Sequence, residues 1–310
     1  MHFGNQEASV MFYYKKWDKF CRMIRERGFT ICTAEQSLKL PPNERFVVLK
    51  HDVETAVPNA YRLASIEHQY GISGSYYVQA YLLKDPENVR MLKEMQSWGH
   101  EISYHYDVLD ACGGNFEEAK KYFVKYSKRF ADNGFTYKTI CQHGNPVKKR
   151  VGYTSNRDFF RNEEVRRLYP DLVDMVVNYS QYAVSKYRYI SDVSYRWNII
   201  TDPETNDLHP EVQNIKIGGF KDLLVLVQDK NYSYVISTHP HRWMASAWKI
   251  NLKIALFRVI RKAVMIARHI PGVEWLLNKF YFLAKKYNRY GSKEISSWCS
   301  RQNLGSDEVY

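Results

Sequence analysis

Four short stretches of this 310-residue chain place chemically capable side chains just after apolar runs. The first is His51-Asp52-Val53-Glu54, which follows Phe46-Val47-Val48-Leu49-Lys50. At the two-residue period of a strand, Asp52 and Glu54 share one face, while His51 and Val53 take the other. Two carboxylates so placed can hold a divalent cation together, or divide into a proton acceptor and a ligand. An acidic residue just ahead of a helix can equally cap its first turn. The second stretch runs from Gly99-His100-Glu101 to His105-Tyr106-Asp107. His105 and Asp107 share a strand face, a spacing that lets imidazole and carboxylate reach one metal ion. His100 stands at the start of the same run, far from such a site, and reads as structural.

The third stretch, His143-Gly144-Asn145-Pro146, is where an apolar run opens into a turn. Glycine and proline there satisfy turn chemistry, but His143 stands where a ligand would, with Asn145 beside it on the substrate side. The fourth is Thr238-His239-Pro240-His241-Arg242-Trp243. His239 is placed to donate a proton, Arg242 can hold an anion and Trp243 a sugar face. Asp192, grouped with Asn145, Arg242 and Trp243 on the substrate side, has two readings. It is a carboxylate that orients an imidazole, or a loop residue in a turn.

Elements must position these groups. Residues 11–28 have the pattern of an amphipathic helix ending at Gly28, and 29–44 read as a polar connection. Strands are expected at 46–54, 72–79, 100–107 and 138–146, with helices at 57–70, 87–99 and 115–133 between them. Strand–helix alternation with short connections is the mark of parallel βα units. Strands whose ends carry His, Asp, Glu or Gln fit an α/β fold, a β/α barrel, with its site where the strand ends meet. Further strands are expected at 174–180, 188–197, 214–219 and 232–238, and a helix at 220–230.

From 245 the character changes. Leu252, Ala255, Leu256, Val259, Ile260, Ala263, Ile266 and Ala267 fall on one helical face, and basic residues take the other. A second, aromatic-rich helix follows at 272–291, then a polar tail. The organisation expected is a lead-in at 1–44, a barrel at 45–244 and a basic helical extension at 245–310.

Composition narrows the classes. Hydrophobic residues at 45% and charged residues at 25% exclude wholesale disorder. The net charge is +12, but it is uneven: residues 243–310 carry 12 Lys and Arg against 4 Asp and Glu, and residues 1–242 carry 33 against 29. The excess therefore points to a membrane surface or an anionic carrier rather than to the barrel's chemistry. No zinc finger, helix–turn–helix or aromatic RNA motif is present, so specific nucleic-acid binding is not expected. Five cysteines without a CxxC pair argue against a disulfide framework or a thiolate zinc site. With no signal-peptide pattern at the start and no long uncharged apolar stretch, the expected location is cytoplasmic, peripheral at the inner membrane face.

The stretches FVVLKHDVE (46–54) and GHEISYHYD (99–107), and the late STHP (237–240), resemble, in their order, the three main motifs of the polysaccharide deacetylase family (NodB homology, carbohydrate esterase family 4). The resemblance spans roughly 44–243, in a divergent HDVE branch associated with surface-polysaccharide biosynthesis. It implies a distorted β/α barrel that uses a divalent metal, zinc, to hydrolyse an N-acyl group, typically N-acetyl, from a sugar or glycan precursor that is lipid- or nucleotide-linked. It assigns Asp52 as the base, Glu54 and His105 as metal ligands, and His239 as the general acid. The sequence departs from the family pattern in three places. A valine separates the two carboxylates and the second is a glutamate. Leu109 stands where a second histidine is usual, so His143 or Asp107 must complete the metal site. Residues 142–146 replace an arginine–proline–tyrosine motif, with backbone N–H groups near Gly144 expected to hold the oxyanion. The alternative is a catalytically weakened relative that binds glycans or an assembly partner. For 245–290 the choices are packing on the barrel or peripheral membrane contact, with Trp275, Phe280, Tyr281 and Phe282 at headgroup depth.

Overall fold

Alternating apolar and amphipathic segments fold into strands and helices in the expected order. The computed structural model describes residues 12–145, 148, 150–200 and 217–267. Its strands are β1 (Thr30–Ile31), β2 (Phe46–Val53), β3 (Ser75–Val78), β4 (Glu101–Tyr106), β5 (Thr139–Gln142), β6 (Val173–Asp174), β7 (Tyr187–Ser191), β8 (Asn198–Ile200) and β9 (Ser233–Thr238). The helices are α1 (Tyr14–Arg25), α2 (Ala34–Ser37), α3 (Val57–Gln69), α4 (Pro86–Ser97), α5 (Val108–Ala111), α6 (Phe116–Asp132), α7 (Arg157–Arg161), α8 (Glu163–Leu168), α9 (Tyr179–Tyr182), α10 (Phe220–Leu226) and α11 (Ala247–Ala267).

Local sequence explains where they start and stop. Asn115 caps α6 by accepting from the Glu118 N–H, Glu117 and Glu118 lie in its first turn and Arg129 in its last, as the helix dipole favours. Its buried Ala119, Phe123, Tyr126 and Phe130 recur at helical spacing and face the sheet's outer side. Gly71 and Gly99 follow α3 and α4 with φ of 63° and 91°, a conformation that costs any side chain with a Cβ.

The strands lie in the order β6-β5-β4-β3-β2-β9-β7-β8, with β1 also paired to β2. All pairs are parallel except β7–β8, which is antiparallel. The last strand of the series, β9, lies beside β2, as in a barrel. On a flat sheet β6 and β7 would be about 29 Å apart, six strand spacings. Yet Val173 of β6 and Tyr189 of β7 share one apolar cluster, and the rings of Tyr179 and Tyr187 stand 5.2 Å apart. The sheet is therefore a curled half-barrel, α/β in class, and among the described residues no strand pairing closes it between β6 and β8. Helices α3, α4 and α6 cover its outer face, where Val53, Tyr76, Val78, Tyr104 and Tyr106 point.

Several expected elements differ. The connection at 29–44 contains β1 and the one-turn helix α2, fixed by a capping box between Thr33 and Gln36. The expected strand at 174–180 ends after Asp174. The Asp174 carboxylate accepts from the N–H groups of Val176 and Val177, and the Asn178 side chain accepts from the Asp174 N–H, which turns the chain. The expected strand at 188–197 stops at Ser191. A short 3₁₀ turn at Val193–Tyr195 follows, with Tyr195 at φ 60°, before β8 begins. Of the expected strand at 214–219, residues 214–216 lie outside the described residues, and Ile217 makes an isolated bridge to Trp197. The expected helix at 272–291, its aromatic residues and the polar tail also lie outside them.

The chain divides into two compact units, Met1–Ile250 and Asn251–Tyr310. In α11, Leu252, Ala255, Leu256 and Val259 of the expected packing face are exposed, whereas Ile250 and Ile254 are buried. Among the described residues no helix is long and apolar enough to cross a membrane.

Candidate active site

Parallel strands bring their C-terminal ends to one edge, so the last inward side chain of each strand converges there. Registers with β9, β3 and β4 align Ser237, Lys50, Ser75 and Glu101 in one inner row. The next row holds Asp52, Tyr77 and Ser103, with His239 one residue beyond the β2–β9 pairs. One step further, the same alternation places Glu54, Gln79, His105 and Cys141 together. The odd-numbered neighbours on β2 face the other way: His51 Nε2 lies 2.8 Å from Glu67 Oε1 on α3, and its ring stacks on Tyr76.

The two carboxylates do not cap a helix. The residue before α3 is Ala56, and no side chain caps there. Asp52 instead meets the fully buried Lys50, whose Nζ donates to Oδ1 and lies 3.4 Å from Ser237 Oγ. Burial alone would raise the Asp52 carboxyl, but the Lys50 ammonium above all, with His239 nearby, outweighs it and holds it below the usual carboxylate range. Its second oxygen, Oδ2, lies 3.9 Å from His239 Nε2. Glu54 sits among three imidazoles: His143 Nε2 at 3.3 Å, His239 Nε2 at 3.7 Å and His241 Nδ1 at 4.0 Å. Burial opposes ionisation here too, and the surrounding histidines overcome it, keeping Glu54 well below its ordinary value.

His239 and Asp192 form a dyad. Asp192 Oδ1 lies 2.6 Å from His239 Nδ1, and Oδ2 accepts from the Thr238 hydroxyl and the His239 backbone N–H. A carboxylate at Nδ1 fixes the proton there and turns Nε2 toward Asp52 and Glu54. Arg242 Nη1 donates to Asp192 Oδ1 at 2.6 Å and to the Asp192 carbonyl. Although burial would raise the Asp192 carboxyl, Arg242 and His239 hold it far below the usual range.

Among the described residues, two groups of side chains are spaced to hold a cation: Asp52, His105 and Cys141, and Glu54, His105 and His143. The residues fit a metal at the second. His105 Nδ1 lies 3.0 Å from the Cys141 carbonyl, so it carries the ring proton, and Nε2 is left with a lone pair that is buried and unpartnered. Burial pushes the His105 imidazole down to about 3, so it stays neutral, as a ligand must. At the first group the Lys50 ammonium already holds Asp52, and burial keeps the Cys141 thiol protonated. Both disfavour a dication there. His143 is clamped through its backbone. Its N–H donates to the Tyr106 carbonyl and its carbonyl accepts from Asn156, which also donates to Asp110. Arg150 binds Asp110 through two nitrogens, both at 2.8 Å, and donates to the Asn145 carbonyl.

The structure thus brings together Asp52, Glu54, His105, His143, His239 and Asp192. Four expectations need correction. Asp107 is not in either cation-spaced group: β4 ends at Tyr106, Asp107 turns into α5, and its charge acts on Tyr104, Tyr126 and Cys112 toward the helix side. Trp243 is not a sugar platform, because it is fully buried among Phe12 and Trp17 and its Nε1 donates to Thr238 Oγ1. Asp192 is buried and taken up by protein partners rather than facing substrate. Arg242 is committed to Asp192 through Nη1 rather than held ready for a substrate anion. Asn145, half-buried, is tied to Arg150 through its carbonyl. Gly144 is exposed at the same turn. His100 is structural, accepting from the Gly74 N–H through Nδ1 at the strand's start.

Lys50, Gln79, Cys141 and His241 escaped the sequence reading. Two had a signal: a lysine two residues before Asp52 in an apolar strand must share its face, and Gln79 is the polar end of the strand at 72–79.

No family model matches the chain, and no curated protein does. Among solved structures it is similar to a family 4 carbohydrate esterase from Streptomyces lividans in complex with acetate, at 14% identity. The match covers 70% of this chain and 89% of that chain with a TM-score of 0.36, too loose an overlap to bear weight for fold or chemistry.

Proposed function

We propose that the protein is a metal-dependent hydrolase that removes an N-acyl group, N-acetyl in the first instance, from a sugar or glycan precursor of surface-polysaccharide synthesis. One observation carries this reading. The buried, unpartnered Nε2 of His105 lies in a cation-spaced group with Glu54 and His143, and the His239–Asp192 dyad faces the same carboxylates. The motif order supports the sugar amide as substrate.

Glu54, His105 and His143 would hold the cation, and two imidazoles with one carboxylate suit zinc. Such an ion supplies Lewis acidity, lowering the pKa of water and polarising a carbonyl oxygen. Asp52, kept ionised by Lys50, accepts the proton of the attacking water through Oδ2. His239, oriented by Asp192, donates from Nε2 to the departing amine as the C–N bond breaks. Arg242 acts through Asp192 as a positioning residue.

The test is elemental analysis of the purified protein together with acetate release from N-acetylated oligosaccharides. Zinc bound near one equivalent and turnover abolished in Asp52→Asn are expected. Protein without metal or turnover after zinc loading overturns the reading. The Lys50–Asp52 pair favours one alternative, a glycan-binding protein without turnover, because a carboxylate held by a buried ammonium is a weak base. A glycan that binds without release of acetate identifies that case.

A lipid- or nucleotide-linked substrate at the inner membrane face belongs to the same proposal. The exposed Trp248, Leu252, Leu256 and Val259 of α11, with Lys249, Lys253 and Arg258 on the same helix, support contact with an anionic surface. Co-sedimentation with anionic vesicles that persists in Trp248→Glu/Leu252→Glu removes that support.

A further inference from the structure

Gln79 follows β3 directly and is the polar residue between two of the side chains spaced for a cation. Val53 pairs with Val78, Val78 pairs with Tyr104, and the Gln79 N–H continues the ladder by donating to the Val53 carbonyl at 3.1 Å. Gln79 therefore occupies the row position between Glu54 on the β2 side and His105 on the β4 side. Its parity matches Ser75 and Tyr77, whose side chains face the inner cluster.

The backbone of Gln79 is satisfied, since its carbonyl accepts from the Leu82 N–H as the following 3₁₀ turn begins. The side chain is not. Gln79 is 2% exposed, and neither Oε1 nor Nε2 has a hydrogen-bond partner. It does not cap the turn that follows it. Folded proteins pair nearly all buried polar atoms, so a carboxamide with both ends unused requires an explanation. The two inward residues that precede it on β3 behave in the ordinary way: Ser75 donates to Glu101, and the Tyr77 hydroxyl meets Thr139.

We infer that Gln79 reads the substrate. A carboxamide offers one acceptor and two donors on a plane. An N-acylated amino sugar presents a matching pair on adjacent carbons, the amide N–H and the neighbouring hydroxyl. Gln79 Oε1 accepts from the acylamino N–H and Nε2 donates to the vicinal hydroxyl oxygen. The residue then sets a preference for amides over esters, because an O-acyl analogue has no N–H and leaves Oε1 buried and unpaired. This rests on the deacylase reading for the identity of the ligand, although the binding it describes requires no turnover.

The test uses zinc-loaded full-length protein and, as probe, an N-acetylglucosamine pentamer, with titration calorimetry as the binding readout. Gln79→Met keeps the length and removes both hydrogen-bonding atoms. It is expected to weaken probe binding about 10- to 100-fold, the equivalent of two neutral hydrogen bonds, while zinc affinity and melting temperature hold. Where turnover is present, the ratio of acetate released from the pentamer to that released from 4-nitrophenyl acetate falls by a similar factor. If Gln79→Met does not fold, Gln79→Asn, which retains the amide but withdraws it by one methylene, is expected to show the same loss. Probe binding by the wild type without acetate release leaves the Gln79 assignment standing and refutes the hydrolase reading. Unchanged probe binding in Gln79→Met, a loss confined to zinc affinity, or a wild type that does not bind the probe overturns the assignment.

Discussion

Replacing Lys50 by methionine isolates the most consequential buried charge in the molecule. The ammonium is fully buried, pairs with Asp52 Oδ1 and lies 5.1 Å from the Tyr77 ring centroid. Methionine fills similar volume with a flexible apolar chain, so the perturbation is chiefly electrostatic. Removing one partner of a buried pair strands the other, at a cost of about 3–5 kcal/mol. For a unit of this size that is roughly 6–20 °C in melting temperature. The pH dependence gives the sharper test. In the wild type Asp52 is depressed, so its contribution is complete above the unfolded value of about 3.9 and is lost only as pH falls through the depressed folded value. In the variant, with Lys50 gone and His105 neutral, only His239, 3.9 Å away and shared with Asp192, still opposes burial, so the folded carboxyl rises above its unfolded value. The folded state then binds more protons than the unfolded one, and the variant loses stability as pH rises from about 4 toward that raised value. Between those limits the gap to wild type widens by about 1.4 kcal/mol for each unit of the rise. Urea unfolding of both proteins from pH 4.5 to 7.5 measures it. A gap that stays flat across this range, or below about 1 kcal/mol throughout, refutes the assignment of Lys50 as the counter-ion of Asp52.

Two further outcomes follow from the dyad and its buried support. Asp192→Asn removes the charge that steadies a protonated His239, and kcat for acetate release should fall by about 10²–10⁴ with zinc content unchanged; a loss under threefold contradicts the dyad. Trp243→Ala should cost roughly 3–5 kcal/mol in denaturant unfolding, as expected for a large core side chain. A stable Trp243→Ala with a raised KM alone would restore the sugar-platform reading.

Much of the inner face is legible from period two alone. Asp52 and Glu54 share a face because strand geometry leaves no alternative, and His105 and His143 arrive at the same edge because parallel strands end together. Asp107 departs for the same reason that His105 conforms: strand alternation holds only while the backbone stays extended, and it ends at Tyr106. The burial of Trp243 is hidden from local pattern because it depends on Phe12 and Trp17, more than two hundred residues earlier. Asp192 is recognisable as an imidazole partner, but not as the anchor of Arg242, because β7 and β9 pair across a long separation. Gln79 is legible only as a polar strand end and Cys141 not at all: an amide or thiol there carries no charge pattern, and register brings them beside Glu54 and His105. The turn after β6 is set by a local competition, Asp174 and Asn178 against the ladder, which hydrophobic patterning does not record.

The place of β9 in the sheet has a consequence for biosynthesis. β9 lies between β2 and β7, yet among the described residues it is the last strand of the sheet to be translated. At about 5–20 residues per second, the ribosome needs roughly 10–40 s to go from Val53 to Thr238. Throughout that interval the edge of β2 that β9 will occupy stays open, an apolar template for mispairing with other nascent chains. The strand that leads into His239 therefore also ends that exposure, and chains stalled before it should depend on chaperones or proteases in a way that released chains do not.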